Sequence, residues 1–257
     1  MQNGICAIQV ACDSSMLKCS RPDVIIFKLK YGYPSLMTKI VRAFIPHVII
    51  VLLPRVVQTV MVHTRHLVST ALILYGIMKI LQANVRSLNT TKDMLQLAQV
   101  THQAHILLLQ EVWNIRNNSH LRDFMPPVMK VRDNSCGGGV AIYAHVSAKL
   151  VPLTCYDVDS LEAVWAKVMV GNISCVIGSV YIPPGAADKI KLLAKQLAHV
   201  CSEHEEVLVG MDANARNMLW DEQVSHGVSR KMGDELLAAL LDSGMEVLND
   251  GTHTYHK

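Results

Sequence analysis

Short apolar runs, each closed by a polar residue, dominate the chain from residue 78 onward. Ile80-Leu81-Gln82-Ala83 ends at Asn84, and Ile106-Leu107-Leu108-Leu109-Gln110 ends at Glu111. Val176-Ile177-Gly178-Ser179-Val180 ends at Tyr181, and Val207-Leu208-Val209-Gly210-Met211 ends at Asp212, with Asn214 two residues on. Runs of this length bounded by polar or turn residues predict buried strands. The pattern predicts strands over Met78–Asn84, Ile106–Glu111, Val140–His145, Val207–Met211 and Glu246–Asn249. Ala163–Val170 and Ser174–Tyr181 read as a hairpin around Gly171-Asn172. Three stretches carry helical spacing instead. One is capped by Asn89 or Thr90 and runs to about Gln103, with Met94, Leu95, Ala98 and Val100 inward. The clearest, Ala186–Ser202, places Ile190, Leu193, Leu197 and Val200 on one side. The third, Lys231–Ser243, is closed by Gly244, a suitable residue just past a helix end. Strands in mixed order with helices between them predict two stacked sheets with helices outside.

Residues 1–77 lack this order. Pro22, Pro34, Pro46 and Pro54 interrupt apolar runs, and proline breaks helices and central strands. The domain reading is a poorly defined apolar and basic extension over 1–77 and a folded domain over 78–257. The extension is expected to stay outside the sandwich core. Its apolar stretches Val48–Leu53 and Leu67–Met78 fall short of the ~20 residues a spanning helix needs. Joining them encloses Arg55, His63, Arg65 and His66, which are costly in hydrocarbon. No secretory signal and no membrane span is expected, with membrane association of residues 44–78 as the alternative.

Composition adds limits. The chain has 257 residues, 51% of them hydrophobic but only 5% aromatic, so aliphatic packing carries the core. Net charge is +3 overall, but residues 1–77 hold eight Lys/Arg against two Asp/Glu. The remainder is acidic on balance, so any nucleic-acid contact there relies on local patches and bound metal. Seven cysteines, at 6, 12, 19, 136, 155, 175 and 201, include no Cys-x-x-Cys pair. That excludes zinc-finger spacing and favours reduced thiols in an intracellular protein. Cys136, Cys155, Cys175 and Cys201 are expected to pack as small hydrophobes.

Carboxylates, carboxamides and a phenol gathered at one sheet edge can hold a hard divalent cation and a phosphate. Glu111 suits Mg²⁺ or Mn²⁺, and Asn84 is a candidate beside it. Asp212 can orient or deprotonate a water, and Asn214, two residues on along an extended segment, can hold a phosphate. Tyr181 can donate to a phosphate oxygen. Each has a plainer alternative: a surface carboxylate, a turn-forming Asn, an Asx turn, or a packed Tyr before Pro183-Pro184. Gly137–Gly139 is read as a tight turn, because no Gly-Lys-Ser/Thr follows it.

The series Leu81-Gln82-Ala83-Asn84-Val85-Arg86-Ser87-Leu88, Leu109-Gln110-Glu111-Val112-Trp113, Gly137-Gly138-Gly139-Val140-Ala141-Ile142-Tyr143 and Leu161-Glu162-Ala163-Val164-Trp165 carries a family likeness. It continues in Val180-Tyr181-Ile182-Pro183-Pro184-Gly185, Gly210-Met211-Asp212-Ala213-Asn214-Ala215 and Val247-Leu248-Asn249-Asp250-Gly251. In that order it resembles the endonuclease/exonuclease/phosphatase superfamily, specifically the endonuclease domain of non-LTR retrotransposons, over roughly residues 78–257. The resemblance implies a four-layer α/β/β/α sandwich, a divalent metal (Mg²⁺, or Mn²⁺) at Glu111 and Asn84, and phosphate contacts from Asn84, Asn214 and Tyr181. It also implies Asp212, Asn214 and Tyr181 as catalytic groups, DNA as partner, no small-molecule cofactor, and a nuclear setting. It leaves Glu162 and Arg86 without a role. Relatives continue to a Ser-x-x-Asp strand and a terminal Ser-Asp-His, whereas this sequence closes on Thr254-Tyr255-His256-Lys257. His256, with no Ser-Asp before it, is no substitute. The expectation is therefore a sandwich lacking its last strands, with one sheet edge unpaired, and phosphodiester hydrolysis that is weak or lost. Alternatives are an inactive retroelement remnant that binds nucleic acid or protein, and another phosphodiesterase or phosphatase of the superfamily.

Overall fold

The computed structural model describes residues 6–10, 24–25, 27–28, 49–51, 78–113, 120–132, 137–220 and 227–248. One sheet is built around β5 (Met78–Asn84), β6 (Ile106–Gln110), β7 (Val128–Lys130) and β8 (Val140–Ala144). The other is built around β9 (Lys149–Pro152), β10 (Glu162–Val170), β11 (Ile173–Tyr181), β12 (Val207–Asp212) and β13 (Met245–Val247). Both are mixed: β5 and β6 run parallel, as do β11 and β12, while β8 and β10 run antiparallel to their neighbours. Helix α1 (Leu88–His102) connects β5 to β6, α2 (Ala187–Glu203) connects β11 to β12, and α3 (Val228–Asp242) precedes β13.

Strand alternation sorts the apolar side chains into three layers. Ile80, Ile106, Leu108, Val140, Ile142, Ala166, Val168, Ile177 and Leu208 fill the space between the sheets. Their odd-numbered neighbours on β5, β6 and β8, such as Leu81, Leu107 and Tyr143, pack with Leu88 and Leu95 of α1. On the opposite side Trp165, Val180, Val207, Val209 and Met211 pack with Ile190, Leu193 and Leu197 of α2 and Met232, Leu236 and Leu240 of α3. Three apolar layers between two sheets and two helical faces make the four-layer α/β sandwich.

Element boundaries differ from the sequence reading by a residue or two at most ends. Larger differences have identifiable causes. Helix α1 starts at Leu88, not at Asn89 or Thr90. Its N-cap Ser87 makes no side-chain capping bond; instead the hydroxyls of Thr90 and Thr91 donate back to the Ser87 carbonyl at 3.1 and 2.9 Å. Val100, placed inward by periodicity, is 68% exposed near the helix end. Strands β7 and β9 were not anticipated; both lie at sheet edges and are partly exposed, so alternation there is weak. Cys155 is exposed rather than packed, and Cys175 and Cys201 are half-buried. Gly244 takes the left-handed conformation (φ +69°) expected of it.

Four short segments of residues 1–77 enter the sheets, contrary to the expected separation. β1 (Cys6–Val10) lies parallel between β12 and β13. β3 (Phe27–Lys28) and β4 (Ile49–Val51) pair with β5, and β2 (Val24–Ile25) pairs with β4. The outer side of β5 is thus partnered rather than open. The apolar content of these segments suits strand addition, before Pro22 for β1 and between the prolines for β2 to β4. The rest of residues 1–77, His63, His66, Cys136 and residues 249–257 with His256 lie outside the described residues. No described helix is long and apolar enough to cross a membrane.

Candidate active site

The space between the sheets changes from apolar to polar toward one end. Gln82, Gln110 and Ser179 are fully buried there. Gln82 Nε2 donates to Gln110 Oε1 (3.2 Å) and across the sheets to the Met211 carbonyl (2.9 Å). Gln110 Nε2 donates to Ser179 Oγ (3.0 Å) and to the Gly210 carbonyl (3.3 Å), and Ser179 Oγ donates to the Leu109 carbonyl (2.9 Å). Buried polar groups are costly without partners, so these bonds fix how one sheet sits on the other, although Gln82 Oε1 itself is buried without a hydrogen bond among the described residues. Gly210 makes the close approach possible: a Cβ there would lie 2.8 Å from Leu108 Cδ1 and 3.2 Å from Gln82 Cδ. Sequence reading missed this layer. Its signal was available, since Gln82 and Gln110 interrupt apolar strands on the same face as Ile80 and Leu108.

One step further along the same faces stand Asn84, Asp212 and Tyr181. Asn84 Nδ2 donates to both Glu111 Oε1 (2.7 Å) and Asp212 Oδ2 (2.6 Å), so a single amide joins the two sheets. Tyr181 pairs with Asp212 on one side and with Glu162 on the other. The four strand-end residues therefore meet at one edge.

Alternation alone would send Glu111 to the helix side with Leu107 and Leu109. The chain turns instead. Glu111 has φ +52°, which ends β6 at Gln110, one residue earlier than expected, and swings the carboxylate toward Asn84. Arg86, Ser87, Trp113 and Asn214 also have positive φ. Such conformations are costly for residues other than glycine and cluster where a site over-determines them. Here backbone bonds hold them: Ser87 N–H to the Glu111 carbonyl (2.8 Å), Leu88 N–H to Val112 (3.2 Å), Val112 N–H to Gly139 (3.3 Å) and Trp113 N–H to Gly138 (2.9 Å). Trp113 Nε1 adds a long bond to Glu111 Oε2 (3.4 Å).

Asn214 corrects one expectation. Strand β12 ends at Asp212, and Asn214 (φ +46°) is not on an extended segment. Its N–H donates to Asp212 Oδ1 (3.2 Å), an Asx-type turn, and its Nδ2 donates to the Ile182 carbonyl (2.9 Å). The turn reading and the site reading thus hold together: the turn aims Asp212 while keeping Asn214 at the edge of the cluster. Burial drives the Tyr181 phenol above its ordinary pKa, with further pushes from Glu111, Asp212 and Glu162, opposed by Arg132. It stays a protonated donor. Arg86 is exposed at the mouth and its N–H donates to Asn84 Oδ1 (3.2 Å). Arg132, which sequence reading did not single out, pairs with Glu162.

Known proteins share this architecture. The endonuclease domain of TRAS1, a telomere-specific non-LTR retrotransposon, superposes with a TM-score of 0.54 at 20% identity, covering 67% of this chain and 73% of that one. The chain has the fold of the endonuclease/exonuclease/phosphatase superfamily and resembles its retrotransposon endonucleases. The AP endonuclease LMAP from Leishmania major shares this sandwich with a TM-score of 0.51 at 10% identity, covering 65% of this chain and 67% of its own. Residues 175–257, which include Tyr181, Asp212 and Asn214, match the model of the Endonuclease-reverse transcriptase family. No curated protein sequence matches the chain.

Among the described residues, no three His, Cys, Asp or Glu side chains gather as a metal cage. The donor set still suits one cation. Glu111 and Asp212 supply two carboxylates, hard oxygen donors at a half-buried edge, brought together by the Asn84 Nδ2 that donates to both; the Asn84 oxygen faces the Arg86 N–H instead. Mg²⁺ characteristically uses one or two carboxylates and completes its shell with water and substrate phosphate.

Proposed function

We propose that this chain is a divalent-metal-dependent phosphodiesterase of the retrotransposon-endonuclease type that nicks DNA. The observation that carries the reading is the amide of Asn84 holding Glu111 and Asp212 together beside Tyr181. Two carboxylates are kept adjacent and half-buried with a single amide between them, an arrangement that a cation would relieve.

Glu111 would hold Mg²⁺ or Mn²⁺, joined by Asn84 through Oδ1 once its amide turns over from the two carboxylates, and the ion when bound supplies positive charge to the phosphate and leaving oxygens. Asp212, fixed by the Asn214 turn, orients the attacking water and takes its proton. Tyr181, kept protonated by its buried and acidic surroundings, donates to a phosphate oxygen, and Asn214 contributes an amide at the same edge. The acidic balance of residues 78–257 leaves duplex contact to local groups at the mouth, such as Arg86. The proposal includes a nuclear setting, on the strength of the family likeness.

The test is conversion of supercoiled plasmid to nicked circles. Weak, Mg²⁺-dependent nicking is expected, abolished by chelation and lowered at least ~10²-fold by Glu111→Ala or Asp212→Asn. Nicking that survives both substitutions would overturn the assignment. A folded chain that binds Mn²⁺ but leaves plasmid intact would overturn the catalytic part and favour a nucleic-acid-binding role.

A further inference from the structure

We propose that the Glu162–Arg132 ion pair is a positioning device that holds Glu111 and Tyr181 in place through the Gly137–Gly139 turn; it rests on the phosphodiesterase reading. Glu162 opens β10 directly beside Tyr181. Its Oε1 accepts from Arg132 Nε (2.8 Å) and from Arg132 Nη2, and its Oε2 accepts from the Gly139 N–H. One carboxylate therefore fastens both the end of the β7 segment and the glycine turn.

The turn passes this constraint on. The Gly139 and Gly138 carbonyls accept from the N–H groups of Val112 and Trp113, the two residues after Glu111. Trp113 in turn donates its indole N–H to Glu111 Oε2. The chain of contacts runs from Glu162 through Gly139 and Gly138 to Val112 and Trp113, and so to Glu111. Left-handed residues at 111 and 113 need such external ties. Gly138 (φ +72°) is fitted to the pair itself, since a Cβ there would lie 2.5 Å from Glu162 Oε2 and 2.6 Å from Arg132 Cζ.

Arg132 reaches the second target. Its guanidinium carbon stands 6.0 Å from the Tyr181 ring centroid, at the limit of a cation–π contact. The pair is mostly withdrawn from solvent, with side-chain exposures of 33% for Arg132 and 15% for Glu162. A mostly buried carboxylate bonded to a guanidinium and a backbone N–H holds its geometry firmly. Neither residue donates to Asn84 or Asp212 in these contacts, so the pair acts on the site through Glu111 and Tyr181. Partners that orient metal ligands in this way typically affect metal affinity 10–100-fold.

Trp113 serves as the reporter, because its indole N–H touches Glu111 while Trp165 and Trp220 are buried in the other sheet's helix-side core. ¹⁵N spectra of the full chain resolve the three indole N–H signals, with Trp113→Phe assigning the first. Without metal, Glu162→Gln is expected to move the Trp113 signal and leave those of Trp165 and Trp220 in place. With Mn²⁺ alone as probe, the Trp113 signal broadens saturably in the parent chain, and Glu162→Gln raises the concentration required by ~10-fold or more. An unmoved Trp113 signal together with unchanged Mn²⁺ affinity in Glu162→Gln would overturn the positioning role. Mn²⁺ that fails to broaden Trp113 in the parent chain, or broadens it equally in Glu111→Ala, would overturn the metal reading instead; the metal-free shift then still decides the positioning role. Should Glu162→Gln unfold the chain, seen as collapse of the Trp165 and Trp220 signals, Arg132→Lys gives the same comparison with the charge retained.

Discussion

Replacing Gly210 by alanine tests whether the two sheets approach as closely as the site requires. The added Cβ would stand 2.8 Å from Leu108 Cδ1 and 3.2 and 3.3 Å from two carbons of Gln82. Carbon pairs prefer ~3.5–4.0 Å, so the neighbours must give way by several tenths of an ångström or more. Neither neighbour has room, because both are fully buried, and Gln82 is tied across the sheets to Met211. Overpacking of this kind costs ~1–3 kcal/mol. Alanine also stiffens the unfolded chain, which returns ~0.4–1 kcal/mol. The steric term is the larger, leaving a net loss of up to ~2.6 kcal/mol. At ~2–4 °C per kcal/mol for a domain of this size, the melting temperature falls by up to ~10 °C. Thermal and urea unfolding measure it, and a double-mutant cycle assigns the cause. Leu108→Ala alone should cost ~2–5 kcal/mol by leaving a cavity. The extra Cβ at 210 fills part of that cavity, so the double variant should be at least ~1 kcal/mol more stable than the sum of the two singles. Additivity within ~0.5 kcal/mol would refute the argument.

Other expectations follow from burial. His105 accepts from the Lys79 N–H at Nδ1 (3.1 Å), and burial, helped by the charges of Lys79 and His145, lowers its pKa from 6.5 to about 4. The unfolded chain thus binds the proton first: the contribution is in place above ~6.5 and is lost as pH falls toward about 4. Discounted for the water that still reaches the ring, this predicts a stability loss of ~1–2 kcal/mol between pH 7 and 4.5, read from urea midpoints and flattened in His105→Gln. Burial, with Glu206 adding, pushes the Cys175 thiol up to about 12, whereas Cys155 is exposed. A thiol reagent at pH 8 should therefore modify Cys155 in the folded chain and reach Cys175 only on unfolding; equal rates by mass mapping would count against the placement of β11.

Short continuous apolar runs closed by polar residues determined most of the fold. Strong signals such as Ile106–Gln110 and Val207–Met211 lie in the middle of sheets, where both faces are covered, and Ala186–Ser202 buries one helical stripe. Run length in the strands and 3.6-residue spacing in the helix decide these elements locally, because each residue's environment is set by its own strand or helix. The strand-end polar residues were legible for the same reason: an apolar run must stop where the layer ends. What residues 1–77 contribute was not legible, since β1 to β4 are only two to five residues long and draw their stability from the sheets they join. The site's working geometry belongs to the tertiary structure as well. Whether Glu111 faces the helix or the other sheet depends on one left-handed residue, and that conformation persists only because Ser87, the glycine turn and Glu162 hold it from outside. Asn84 and Asp212 are 128 positions apart, and only the buried bonds of Gln82, Gln110 and Ser179 set the distance at which one amide can reach both carboxylates. Sequence fixes which groups reach an edge; the packing between sheets decides which of them meet.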